Sequence, residues 1–192
     1  MIHCTDLSIL INNKQLLSTE SLTFEGGMIH IIQGENGCGK SSLFRSMIGW
    51  MPFSSGHCQI LGTWIYQPQQ FHLFAPKVAD NFVNIELAHQ MLISLKAESI
   101  LSQSVKSLSG GERQKVALIR TLCEEADVYL LDEPTSYMDE SSRLLAYYLM
   151  KEHLLDRGKT VLMINHEVIT QPFDSGRLYL FKDSKLNVVH TW

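Results

Sequence analysis

The sequence contains no apolar run approaching the ~18–20 residues that a membrane-crossing helix needs, so it is expected to cross no membrane by itself. Its start, Met1-Ile2-His3-Cys4-Thr5-Asp6, lacks the basic-then-apolar order of a secretion signal. Cysteine is sparse. Cys4, Cys38, Cys58 and Cys123 are scattered without CxxC or CxxH spacing, which argues against a zinc site and for free thiols in a reducing cytosol. Positive charge is not in surplus: 16 Lys and Arg against 20 Asp and Glu give a net charge of −4 and a pI near 6.0. No nucleic-acid partner is therefore expected. Proline-rich linkers, internal repeats and low-complexity tracts are missing too, so residues 1–192 read as one domain. The remainder suits a packed core, with 45% hydrophobic and 19% charged residues and a mean hydropathy of −0.01.

Against that background one stretch organises the chain, Ile31-Ile32-Gln33-Gly34-Glu35-Asn36-Gly37-Cys38-Gly39-Lys40-Ser41-Ser42. An apolar run, Met28 to Ile32, leads into a glycine-rich turn that opens a helix-like segment from Ser41 to Ile48. Gly34, Gly39, Lys40 and Ser41 satisfy G-x-x-x-x-G-K-S, the phosphate loop. Successive backbone N–H groups in such a loop form an anion-binding nest, reinforced by the positive end of the next helix. Glycine is needed where a side chain would hold the backbone away from phosphate. Lys40 is expected to reach the β- and γ-phosphates, and the Ser41 hydroxyl to sit on Mg²⁺.

The rest of the chain alternates apolar strands with helical periodicity. Leu7–Ile11, Leu22–Phe24 and Met28–Ile32 read as strands, with a tight turn at Asn12-Asn13 and another at Glu25-Gly26-Gly27. His57–Leu61 and Trp64–Tyr66 follow as short strands. From Val78 to Ser107 the apolar residues fall at mixed helical spacing, which predicts a small helical insertion. Arg113–Glu125 reads as a helix, Val128–Leu131 as a strand, Ser141–Asp156 as a helix and Thr160–Ile164 as a buried strand. Leu178–Phe181 and Leu186–Val189 look like a closing hairpin. This order predicts an α/β fold with a mainly parallel sheet, whose ligands bind beyond the carboxyl ends of the strands. The phosphate loop, Asp132-Glu133 and His166 all fall at such ends.

Asp132-Glu133 follows an apolar strand, as a Walker B pair does, so Asp132 is a candidate Mg²⁺ ligand and Glu133 a candidate base for an attacking water. Two solvated acids at a strand end are the plainer alternative. Ser109-Gly110-Gly111-Glu112 has the S-x-x-E spacing of a capping box. Glycines in a first helical turn cost about 1 kcal/mol each relative to Ala, so keeping two of them suggests that backbone N–H groups must approach an anion.

With these motifs in hand, the chain resembles the nucleotide-binding domain of ATP-binding cassette (ABC) proteins over nearly its whole length. The order is phosphate loop Gly34–Ser42, glutamine loop at Gln69, signature Leu108-Ser109-Gly110-Gly111-Glu112, Walker B Val128–Glu133, D-loop Ser136-Tyr137-Met138-Asp139, and His166. The resemblance implies a P-loop NTPase fold with an ABC-type core (1–76 and 113–192), an N-terminal antiparallel β region and a short helical subdomain at about 77–112. It implies ATP and Mg²⁺ as cofactors, held by Gly34, Glu35, Asn36, Gly37, Cys38, Gly39, Lys40, Ser41 and Ser42, with Ser41, Gln69 and Asp132 toward the metal. Glu133, His166, Lys40 and Gln69 would be catalytic, with Gln67 a weaker alternative to Gln69. Two such domains would pair head to tail, so that Ser109, Gly110 and Gly111 meet the γ-phosphate held by a second ABC domain. Asp139 would communicate across that pair, or simply cap a helix.

The implied role is an ATPase subunit, peripheral on the cytoplasmic face of a membrane, that drives an integral membrane transporter subunit. A soluble ABC ATPase of DNA repair, translation or cluster assembly is the second reading. The compact chain and Trp64-Ile65-Tyr66-Gln67-Pro68 are mildly similar to the haem-export-type subunit. The family usually stacks an aromatic residue on adenine, and the corresponding position here is Ile11. Cys38 lies inside the phosphate loop, so thiol alkylation is expected to block nucleotide binding.

Overall fold

The computed structural model describes every residue except Asn12 and Val168, and the side chain of Lys14. The strands are β1 (Ile2–Ile11), β2 (Lys14–Phe24), β3 (Ile29–Gly34), β4 (Ser55–Ile60), β5 (Trp64–Gln67), β6 (Val128–Asp132), β7 (Thr160–Ile164), β8 (Gly176–Lys182) and β9 (Lys185–Thr191). The helices are α1 (Lys40–Met47), α2 (Ile85–Ser94), α3 (Gly110–Leu122) and α4 (Glu140–His153). The expected turn at Asn12-Asn13 falls partly outside the described residues; Asn13 itself has a left-handed backbone, φ 62°.

Six strands form one sheet in the order β5-β6-β7-β3-β8-β9. The first five are parallel, and β9 returns antiparallel along β8 as the edge strand. β3, β6 and β7 are buried almost throughout and mostly apolar, because both faces of the sheet are covered. One face packs on α2, α3 and α4 through Ile31, Leu131, Val161, Val116 and Met150. The other packs Ile32, Leu130 and Leu162 on α1 and on a three-stranded antiparallel sheet, β2-β1-β4. In β1 buried and exposed residues alternate, because only one face of that smaller sheet meets the core. The α/β class and the mainly parallel core sheet are as the sequence implies.

Three local readings change. α3 starts at Gly110 rather than Arg113, because the capping box lets both glycines enter the first turn. β4 begins at Ser55 and includes Gly56, whose left-handed φ of 78° accommodates a register shift against β1. The expectation of four free thiols also fails. Cys4 and Cys58 sit directly opposite on β1 and β4 and are disulfide-bonded, while Cys38 and Cys123 are free. Their separation of 54 residues hides this pairing until the strands are aligned. Among the described residues, no helix is long and apolar enough to cross a membrane.

Candidate functional site

Parallel strands deliver their carboxyl ends to one rim of the sheet, and the functional side chains gather there. β3 ends in the phosphate loop, β5 in Gln69, β6 in Asp132-Glu133 and β7 in Asn165-His166. A cavity of about 720 Å³ opens at this rim. Asn36, Gly37, Gly39, Lys40, Ser41 and Ser42 form its floor, Ile11 and Leu16 one wall, and Gln69, Glu133 and His166 the other.

The floor is built for an anion. Gly39 precedes α1 with a left-handed φ of 116°, and no side chain caps the helix. The first-turn N–H groups of α1 are therefore free of side-chain acceptors beside the cavity, at the positive end of the helix dipole. The Lys40 side chain is nearly buried and donates to the carbonyls of Gly34 at 2.8 Å and Glu35 at 2.9 Å, which holds the ammonium across the loop. A β-carbon on Gly34 would come within 2.9 Å of the Cys38 sulfur, so loop and cysteine are in contact. Gly34 and Cys38 support the loop without lining the cavity.

Asp132 is buried and accepts a hydrogen bond from the Tyr66 hydroxyl at 3.2 Å. Burial pushes its carboxyl up from the ordinary value, against the pull of the Ser41 and Tyr66 hydroxyls. Burial, with the Asp132 charge beside it, pushes Tyr66 up to about 12. The second carboxylate oxygen, Oδ1, is buried without any hydrogen-bond partner among the described residues. An orphaned carboxylate oxygen beside a serine hydroxyl at a phosphate-binding loop fits a hard divalent cation, which takes one or two carboxylates and completes its shell with phosphate and water oxygens. Asp132 and Ser41 are the residues that fit Mg²⁺.

Glu133, next along, has a left-handed backbone, φ 51°, a conformation that costs a non-glycine residue about 1–3 kcal/mol and concentrates at functional sites. The surroundings hold it there. Its N–H donates to the Ile164 carbonyl at 3.1 Å. The buried Gln114 amide donates to the carbonyls of Glu133 at 3.3 Å and Pro134 at 2.7 Å. Its carboxylate is gripped from both sides: Gln69 Nε2 donates to Oε2 at 2.9 Å, and His166 Nε2 lies 2.8 Å from Oε1. The fold thus brings Gln69 to the site. Gln67 is buried and does not line the cavity, and its amide has no hydrogen-bond partner among the described residues.

Ser109, Gly110 and Gly111 do not line this cavity. They form the start of α3, where the Ser109 N–H donates to Glu112 Oε2 at 2.8 Å and the Glu112 N–H donates to Ser109 Oγ at 3.3 Å. A β-carbon on Gly111 would meet the Tyr137 carbonyl at 2.8 Å, so this glycine also has a packing reason. Asp139 caps α4, accepting from the Ser142 N–H at 2.8 Å. Sequence reasoning missed Tyr66, Gln114, Tyr147 and Asn165 as site support; each acts through a partner distant in sequence.

The comparisons agree with this geometry. The profile of the ABC transporter family matches residues 17–136. Pixie of Drosophila melanogaster is 32% identical over 86% of this chain, covering 29% of its own length. The translation initiation factor RLI1 of Saccharomyces cerevisiae is 28% identical over 87% of this chain and 29% of its own. The chain therefore spans under a third of the length of these two relatives. The zinc import ATP-binding protein ZnuC of Yersinia pestis is 32% identical over 88% of this chain and 70% of its own. Among solved structures, an RNase-L inhibitor superposes with a TM-score of 0.83 at 24% identity, over 98% of this chain and 40% of that one. An inward-facing metal-chelate type ABC transporter superposes with a TM-score of 0.76 at 21% identity, over 97% and 82%. These two likenesses speak for the fold. Phosphate loop, buried aspartate, gripped glutamate and family match together place the chain in the ATP-binding cassette family, as an ABC ATPase domain.

Proposed function

We propose that this chain is the ATP-binding and ATP-hydrolysing subunit that energises an ABC transporter, with the membrane-spanning part on a separate chain. The observation that carries the hydrolytic half is the convergence of Gln69 and His166 on the Glu133 carboxylate at the wall of the phosphate-loop cavity. In this reading the triphosphate lies along Gly34–Ser42, and the base rests on the aliphatic wall of Ile11 and Leu16. Lys40 exchanges its loop carbonyls for phosphate oxygens. Asp132 and Ser41 would hold Mg²⁺, which supplies neutralisation of charge on the phosphate oxygens. Glu133 orients the attacking water and accepts its proton, while Gln69 and His166 fix the carboxylate. Ser109, Gly110 and Gly111 face away from their own cavity and close the site of a second copy, paired head to tail. Hydrolysis then releases the pair.

The transport half rests on surface and kinship. Phe74 and Val83, between Gln69 and α2, and Ile85 at the start of α2 are exposed apolar residues, suited to a membrane partner's loop. The zinc import relative, most of whose length is matched, is of the same kind. The chain would then sit at the cytoplasmic face of a membrane. A second reading, a non-transport ABC ATPase, is favoured by the similarity to Pixie and RLI1. Affinity purification from detergent-solubilised native membranes separates them: a polytopic chain at near-equal stoichiometry supports transport, and only non-membrane partners support the second reading. Hydrolysis is tested by Glu133→Gln. Turnover should fall by about 10²-fold or more while ATP still binds and a dimer accumulates on gel filtration. Unchanged turnover removes Glu133 from its role.

A further inference from the structure

α4 carries a buried hydroxyl that touches both catalytic loops. The Tyr147 side chain is buried, its ring edge-on to Phe173 at 6.0 Å between centroids. Its hydroxyl lies 3.1 Å from Thr135 Oγ1 and accepts from Asn165 Nδ2 at 3.3 Å. Either hydroxyl can be the donor in the Tyr147–Thr135 pair, and in both cases the phenol oxygen joins Thr135 to Asn165. Thr135 stands two residues after Glu133, and Asn165 stands immediately before His166. The Asn165 side chain also accepts from the His166 N–H at 3.0 Å, so one amide ties the histidine's backbone to the tyrosine. A second link from α4 to the same loop, Arg143 to Glu167 at 2.7 Å, lies beside it.

We infer that Tyr147 is a positioning residue, whose hydroxyl sets Glu133 against His166 by spanning Thr135 and Asn165. It does not line the phosphate-loop cavity. Its effect passes through the distance between two side chains borne by different strands. The same helix begins at Asp139 of the D-loop, so any shift of α4 moves both loops together. Deleting the hydroxyl leaves Thr135 and Asn165 each without the partner that joins them. The inference rests on the Glu133–His166 pair acting in hydrolysis.

The test is a double-mutant cycle on the full chain, with Tyr147→Phe, His166→Ala and the double variant compared in steady-state ATPase assays. Tyr147→Phe keeps the ring against Phe173 and deletes only the hydroxyl. Turnover should fall roughly ten- to a hundredfold. The KM for ATP and binding of a non-hydrolysable analogue should stay within about twofold, since Tyr147 is remote from the cavity floor. In the His166→Ala background the same change should cost less than about twofold, because there is no longer a pair to align. Thr135→Val, nearly isosteric, should reproduce the loss and serves if Tyr147→Phe does not fold. Wild-type turnover in both hydroxyl deletions, or a full loss added to that of His166→Ala, overturns the inference while leaving the hydrolytic pair intact. Wild-type turnover in His166→Ala overturns the pair itself, and the inference with it.

Discussion

Cys38 occupies the fourth variable position of the phosphate loop with its sulfur against Gly34, and its side chain is partly exposed. A carbamidomethyl group added there would enlarge a side chain that packs against the phosphate loop's own backbone at Gly34. Iodoacetamide treatment should abolish binding of a fluorescent ATP analogue, and prior ATP should protect. Full binding after complete modification of Cys38, verified by mass spectrometry, would sink the idea; Cys38→Ser should be insensitive and controls for Cys123. At this scale the sequence was most legible where chemistry demands fixed spacing. Lys40, Ser41, Asp132, Glu133 and His166 all stand where their motifs put them. The supporting residues were not legible. Tyr147 and Tyr148 are adjacent and chemically identical, yet one is buried among hydroxyl partners and the other is 53% exposed. Only the rotation of α4 on the sheet distinguishes them.

Helix ends were legible from local chemistry. The Ser109–Glu112 capping box and the Asp139 cap are both side chain-to-backbone bonds within four residues, so tertiary structure adds little to them. The Asp139 carboxylate accepts from the Ser141 and Ser142 hydroxyls and the Ser142 N–H, and these donors hold it well below the usual carboxylate range. Asp139→Ala should lower the midpoint of thermal unfolding by roughly 2–4 °C, measured by circular dichroism. Asn caps about as well as Asp, so Asp139→Asn should keep most of that stability. A turnover defect in Asp139→Asn would then report the proposed contact across the dimer rather than the cap. Strand ends were less legible: β1 and β2 run to 10 and 11 residues because each pairs with the other along its length, a non-local gain that apolar runs underestimate.

Stability of the whole molecule should carry a pH signature from His30. This histidine is fully buried in β3, its Nε2 donating to the Glu25 carbonyl at 2.8 Å, which leaves Nδ1, 3.2 Å from the Tyr179 hydroxyl, as the acceptor. Burial drives its pKa from 6.5 down to about 4. Between those values the unfolded chain binds the extra proton and the folded chain does not, so stability falls as pH falls. From pH 7 to pH 5 the loss should be about 2 kcal/mol in urea unfolding. His30→Gln should remove most of that slope; an unchanged slope would assign it to other groups.

The chain's order of motifs, read without coordinates, was enough for the nucleotide chemistry and the family, because phosphate loops, Walker B carboxylates and the signature are short and their function needs fixed local spacing. Binary patterning was enough for the α/β class. Tertiary structure alone decided that Gln69 and His166 grip the Glu133 carboxylate from both sides, that Cys4 faces Cys58, that the signature does not line its own cavity, and that Tyr147 bridges two loops. Each of these joins residues from separate elements or depends on how an element is oriented in the fold. Such contacts follow from strand order and helix rotation, which arise from packing summed over the whole core and leave no local trace in sequence.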